Sequence, residues 1–115
     1  MPVVGHHVIE VDYLPSEGPL SRVLPTLKRR LSRLGRGVQT LRVGVTADFV
    51  RRAGEHRGYG FDWFEVLWET TSAGRAAEAE SELIAHAQLR GFPLAGDRSG
   101  CVRGEGPFAV YVAGR

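Results

Sequence analysis

Residues 63–71 read Trp-Phe-Glu-Val-Leu-Trp-Glu-Thr-Thr, a run with no glycine or proline and the strongest strand signal in the chain. Alternation puts Phe64, Val66 and Trp68 on one face and Glu65, Leu67 and Glu69 on the other. A strand of this kind must pair and must be covered, so it commits the chain to a sheet with an apolar layer against it. Residues 40–45 supply a second strand, with Leu41, Val43 and Val45 on one face and Arg42 and Gly44 on the other. The face bearing Gly44 can be approached closely, because no side chain stands there. Two further strands are expected at residues 8–13, where Ile9, Val11 and Tyr13 alternate, and at residues 108–112.

Helical spacing fills the intervals. Leu20, Val23, Leu24, Leu27, Leu31 and Leu34 recur on one side, while Arg22, Lys28, Arg29, Arg30 and Arg33 occupy much of the rest of the circumference. This predicts an amphipathic helix with a basic outer face, firm over residues 26–34. Pro25 kinks it or starts its longer part, and Gly35 is expected as a left-handed stop. Thr46 or Asp48 caps a second helix in which Phe49 and Ala53 face inward and Arg52 and His56, four apart, share a stripe. Residues 58–60 close it. Ser72 caps a third, longer helix that runs to Arg90 and stops at Gly91 and Pro93. Its apolar stripe is Ala73, Ala76, Ala77, Leu83, Ile84 and Ala87, with Glu80 at the position where another apolar residue is due. A carboxylate in a buried stripe needs a partner or a metal.

The length of 115 residues predicts one domain, residues 1–115, able to bury a core without staples. No apolar run is long enough to span a bilayer, the N-terminal residues lack the pattern of a signal peptide, and Cys101 is the single cysteine. A cytoplasmic setting with no membrane partner is therefore expected. The formal net charge is only +2, but it is unevenly placed. Residues 18–57 hold ten Lys or Arg against Asp48 and Glu55, giving +8 (10 − 2), whereas residues 58–115 hold five basic and eight acidic residues, giving −3 (5 − 8). A concentrated cationic region is what a polyanion-binding face requires. Spacings for zinc, for a dinucleotide loop, for a P-loop or for a nucleophile elbow are absent from the sequence.

The run Val43-Gly44-Val45-Thr46-Ala47-Asp48-Phe49-Val50-Arg51-Arg52-Ala53-Gly54-Glu55-His56 resembles the second half of the GIY-YIG nuclease signature. In that family a hydrophobic-Gly pair is followed eight residues after the glycine by an arginine, and four later by His or Tyr. Arg52 and His56 fall on those positions. Glu80-Ser81-Glu82-Leu83-Ile84 resembles the family's metal-binding E-x-x-x-I helix, with Glu80 on the ligand position. The resemblance covers residues 39–90 and is that of a divergent member: Arg42-Val43-Gly44 replaces Tyr-Ile-Gly and the first motif is not evident. It implies a small α+β domain, an antiparallel sheet built around residues 40–45 and 63–71 and flanked by helices, GIY-YIG-like with an inserted basic helix.

The function implied is that of a metal-dependent DNA endonuclease or DNA-processing domain. Arg52 would grip the phosphodiester, His56 would assist the phosphate or the water, and Glu80 would hold one Mg²⁺ or Mn²⁺. Arg42, Lys28, Arg29, Arg30, Arg33 and Arg51 are the expected nucleic-acid contacts. A tyrosine helps activate the attacking water in the family, and Tyr13, Tyr59 or His7 would have to fold into that place. Two other readings use the same residues: a member that binds nucleic acid or protein without turnover, and an oligomer scaffold presenting Trp63 or Trp68 to a partner.

Overall fold

A computed structural model describes residues 10–58, 60–95 and 105–115, with the backbone alone for residues 10–15 and 56. Strands and helices alternate: β1 (Glu10–Ser16), α1 (Leu20–Leu34), β2 (Leu41–Thr46), α2 (Phe49–Gly58), β3 (Trp63–Thr70), α3 (Ala73–Leu89) and β4 (Phe108–Gly114). The architecture is α+β, with one sheet in the order β1-β3-β4-β2. β4 runs antiparallel to both β2 and β3, and β1 adds to the outer edge of β3 in parallel. The two strands expected to build the sheet, β2 and β3, are therefore not neighbours, because the last strand of the chain inserts between them. No described helix is long and apolar enough to cross a membrane. Cys101, His7 and Tyr59 lie outside the described residues.

Both faces of the sheet are covered. α1 and α3 pack on one face around Leu27, Leu31, Leu41, Leu67, Leu83, Val110 and Val112. On the other, α2 packs Ala53 against Phe64, Val66 and Tyr111, with Phe61 closing the cluster. A strand with two covered faces has no solvent side, which is why β3 is buried from Phe64 to Trp68 instead of alternating. The alternation also slips. The β3–β4 register jumps between Val66 and Trp68, so Leu67 is a bulge residue, and Leu67 and Trp68, adjacent in sequence, both join the α1/α3 core. Trp68 is thus 4% exposed and gives its indole N–H to the Gly18 carbonyl at 3.2 Å. It cannot serve as an exposed partner surface, contrary to the scaffold reading.

α1 begins at Leu20, a turn and a half before its expected firm part, and carries Pro25 inside it. Leu20 and Val23 are 5% exposed each, so burial of the first turns offsets the hydrogen bond that Pro25 cannot donate. Gly35 follows α1 in the right-handed region (φ −77°), not the left-handed one. The need for glycine there is steric, since a Cβ would run into the Phe92 ring at 2.6–3.0 Å. The left-handed turn falls two residues later, at Gly37 (φ +71°). At the other helices the capping expectations hold: Asp48 Oδ1 accepts from the Arg51 amide and Ser72 Oγ from the Arg75 amide, each at 3.1 Å. Along α3 the buried stripe is Ala76, Ala79, Glu80, Leu83 and Ala87, while Ala73 and Ala77 are exposed.

One cation of α1 points inward. Arg30 Nη2 donates to Glu65 Oε2 at 2.6 Å, and the side chains are 15% and 11% exposed. It also donates to the Leu67 carbonyl at 3.2 Å and the Val66 carbonyl at 3.4 Å, both at the bulge, and to Ser16 Oγ of β1 at 3.5 Å. Arg30 therefore ties α1 to the distorted part of β3 and is corrected from a nucleic-acid contact to a structural one. Arg30→Met is expected to leave the Glu65 carboxylate buried and unpaired and to lower the unfolding free energy by about 3 kcal/mol. Adding Glu65→Leu to the same chain should recover most of that loss. Urea unfolding of the single and double variants measures both, and equal midpoints would show that the pair does not anchor the helix.

Candidate functional site

Gly44 of β2 pairs with Tyr111 of β4, and both face the α2 side of the sheet. The Tyr111 ring lies over Gly44 so closely that a Cβ at residue 44 would collide with the phenol oxygen and ring. The close approach that Gly44 permits is thus used by a tyrosine from the last strand. Tyr111 also stacks on Phe64, with centroids 4.4 Å apart and planes inclined by 19°, which fixes the ring between two neighbouring strands. Its hydroxyl ends at β2, the edge of the sheet.

Three of the expected site residues act on that hydroxyl. Arg42 precedes Gly44 by two residues, shares its face and donates a side-chain hydrogen bond to Tyr111. Arg52, on α2, and Arg42 both draw the phenol toward ionisation by their charge, and Glu80, from α3 on the opposite face, resists it. Burial outweighs these charges and pushes the Tyr111 phenol up, so that it remains a neutral proton donor at ordinary pH. Because β2 is the edge strand, one strand alone separates the two faces here, and α2 and α3 can both contribute to one site.

Glu80 sits where the sequence places it, inside the apolar stripe of α3, and is 3% exposed. Burial pushes its carboxyl up to about 7, with the positive charge of Arg42 opposing the rise. Its Oε1 is buried with no hydrogen-bond partner among the described residues, and so is Nε of Arg52. Both groups act on the same phenol, and both leave a buried polar atom that the described residues do not satisfy. Arg52 also makes a salt bridge to Glu55, 3.2 Å from Nη1, and keeps its side chain 37% exposed. The guanidinium is the outer layer of the site, and Tyr111, 2% exposed, and Glu80 lie behind it.

The remaining expected residues are placed differently. Arg51 is 67% exposed and held by Asp48 at 3.9 Å and Glu55 at 3.5 Å on its own helix. His56 falls in α2, one turn beyond Arg52; its side chain, like that of Tyr13 in β1, lies outside the described residues. Lys28, Arg29 and Arg33 lie on α1, which covers the other face of the sheet. Among the described residues no three His, Cys, Asp or Glu come together as a metal-ligand group, so a cation at Glu80 would be held by that one carboxylate and complete its shell with water. Tyr111 is the residue sequence reasoning missed: only the pairing of β4 with β2 brings it opposite Gly44. Compared with family models, with curated proteins and with solved structures, the chain matches none.

A carboxyl whose folded value lies above its unfolded one stabilises the fold at low pH and loses that contribution as pH rises through the interval between them. For Glu80 the interval runs from 4.5 to about 7. With a chelator present, the wild type should lose on the order of 3 kcal/mol across it from this group. Glu80→Gln, neutral at every pH, should flatten that part of the profile and be more stable than wild type at about pH 8. Melting curves at several pH values decide it, and a parallel fall in both proteins would remove Glu80 as the cause.

Proposed function

We propose that this chain is a metal-dependent DNA-processing domain whose phosphodiester site is the cluster of Arg42, Arg52, Tyr111 and Glu80 at the β2 edge. The observation that carries the reading is that Arg42, Arg52 and Glu80, from three different elements, all act electrostatically on the Tyr111 hydroxyl beside Gly44. The GIY-YIG resemblance supplies the reaction class: an arginine for the phosphate, a glutamate for the divalent ion and a tyrosine near the attacking water. In this chain Tyr111 would take the tyrosine's part from a strand at the opposite end of the sequence.

In that reading Arg52 and Arg42 neutralise the phosphate and the charge that grows on the leaving oxygen. Glu80 is the residue that would hold Mg²⁺ or Mn²⁺, through the oxygen that has no partner in the protein. When bound, the ion supplies an acidified water and further charge neutralisation. Tyr111 is held neutral and hydrogen-bonded to Arg42, so it orients the water or phosphate oxygen and relays a proton. His56, one turn from Arg52, is the imidazole assigned to the same phosphate or water. A divalent ion needs the ionised Glu80, so activity rises with pH as this carboxyl ionises near 7.

Supercoiled and branched DNA incubated with Mg²⁺ or Mn²⁺ should be cut, more rapidly at about pH 8 than at about pH 6. Arg52→Ala, Tyr111→Phe and Glu80→Gln should each lower the rate by roughly 10²-fold or more. Independently of turnover, Mn²⁺ should raise the melting temperature of the wild type at about pH 8 and leave Glu80→Gln unmoved. The deep burial of Tyr111 favours a second reading, a member that binds nucleic acid without cutting it. DNA retained with a steep salt dependence and no product in any metal would establish that reading and sink the first.

A further inference from the structure

Between α1 and the C-terminal half of α3 runs a groove of ≈ 680 Å³. Its volume is that of a ligand-binding cleft, and six of the nine residues that line it are Lys or Arg. Lys28, Arg29, Arg33 and Arg36 border it from α1 and the turn that follows, and Arg90 closes it from the end of α3. Arg29, Arg33, Arg36 and Arg90 are exposed, and among the described residues none of these four has an acidic partner. Lys28 is compensated by Glu82, 3.4 Å from its Nζ. Arg30 also borders the groove, but its guanidinium is engaged by Glu65.

At the wall of this groove Ser32 Oγ and His86 Nε2 are 2.7 Å apart and link α1 to α3, beside the Lys28–Glu82 ion pair. Neither group is used by the site at the β2 edge. Burial pulls the His86 imidazole below its ordinary value, and the charges of Lys28 and Arg90 pull it further, so it is neutral at pH 7. A phosphate in the groove would offset those two charges and draw a proton onto the ring. The protonated ring must donate through Nε2, which makes Ser32 Oγ an acceptor and frees the serine hydroxyl hydrogen for an anion oxygen.

We infer that the α1–α3 groove is a second nucleic-acid site, which holds backbone phosphates of DNA through Arg29, Arg33, Arg36 and Arg90 and takes up a proton at His86 as they bind. The identity of the occupant rests on the proposed function. A flexible polyanion is what four uncompensated cations, spread over two helices and the turn after one of them, are spaced to neutralise, and the binding free energy comes from the counterions they release. Protonation adds charge to the groove and a donor from Ser32, so affinity increases as pH falls.

The test is fluorescence anisotropy of a labelled duplex oligonucleotide with the full chain in chelator, which prevents cutting, over about 50 to 200 mM salt. Arg33→Ala, Arg36→Ala and Arg90→Ala are exposed changes that leave the core intact, and each should weaken binding and lower the log–log salt slope by about 1. The wild type should bind several-fold more tightly at about pH 5.5 than at about pH 7.5, and His86→Gln should lose most of that gain while circular dichroism stays unchanged. Wild-type salt slopes in the three arginine variants, no DNA binding at all, or an unaltered pH gain in His86→Gln would each overturn the inference. Cutting is read separately: groove variants that lose binding in a protein that never cuts leave the groove standing and remove the nuclease reading. A protein that cuts, with groove variants that bind and cut like wild type, does the reverse.

Discussion

β4 hydrogen-bonds on both sides along its length, to β2 from Leu41–Gly114 to Thr46–Ala109 and to β3 from Trp63–Gly114 to Thr70–Phe108. Every residue from Phe108 to Gly114 is buried. Without this strand β2 would have no partner among the described strands, and the sheet would reduce to β3 with its parallel neighbour β1. The two apolar layers also depend on it, because Val110 and Val112 enter the core under α1 and α3 while Ala109, Tyr111 and Ala113 enter the one under α2. Small residues alternate with large ones along the α2 side, and Tyr111 is the one that reaches outward to the sheet edge. The site is therefore a by-product of where the last strand inserts, and no contiguous piece of the sequence contains it.

That dependence explains what could be read from the sequence. Periodicity is local, so the strands at residues 40–45, 63–71 and 108–112 and the three helices were legible, as were the caps at Asp48 and Ser72 and the stop at Gly91, which turns with φ +75°. Glu80 was legible for the same reason: a helix of 3.6 residues per turn leaves a definite slot between Ala76 and Leu83, and a charged residue in it stands out. Strand order is not local. The Gly44 face was recognisable as open to close approach, but its occupant depended on a pairing between residues 67 positions apart, which alternation cannot specify. The bulge at Leu67 was hidden because a strand buried on both faces shows no change of pattern when its phase slips.

Arg30 shows a different limit. On α1 it lies three residues after Leu27 and four before Leu34, on the flank of the apolar stripe, where a long side chain can turn either to solvent or toward the sheet. The sequence gives both options equal standing until Glu65 is known to face inward. A buried carboxylate on one element and a flanking arginine on another then select each other, since either alone would be costly. The same logic fails to resolve Glu80. Burial outweighs the charge of Arg42, which is also engaged with Tyr111, so its carboxyl rises toward neutrality instead of acquiring a salt bridge.

Eight of the ten cations of residues 18–57 are thus sorted into three kinds. Arg30 is consumed in holding α1 to β3, and Arg51, Arg52 and Lys28 are tethered to acids near them. Arg42 leans on a phenol and on a carboxyl whose ionisation burial resists, which compensate it only in part. Arg29, Arg33 and Arg36 have no acidic partner among the described residues and gather where α1 meets α3. Folding places the uncompensated charge at two sites served by α3, one on its sheet-facing side through Glu80 and one at its C-terminal end through His86 and Arg90. In the proposed reading α3, which supplies Glu80 to one site and His86 and Arg90 to the other, would orient a bound strand relative to the Tyr111 hydroxyl.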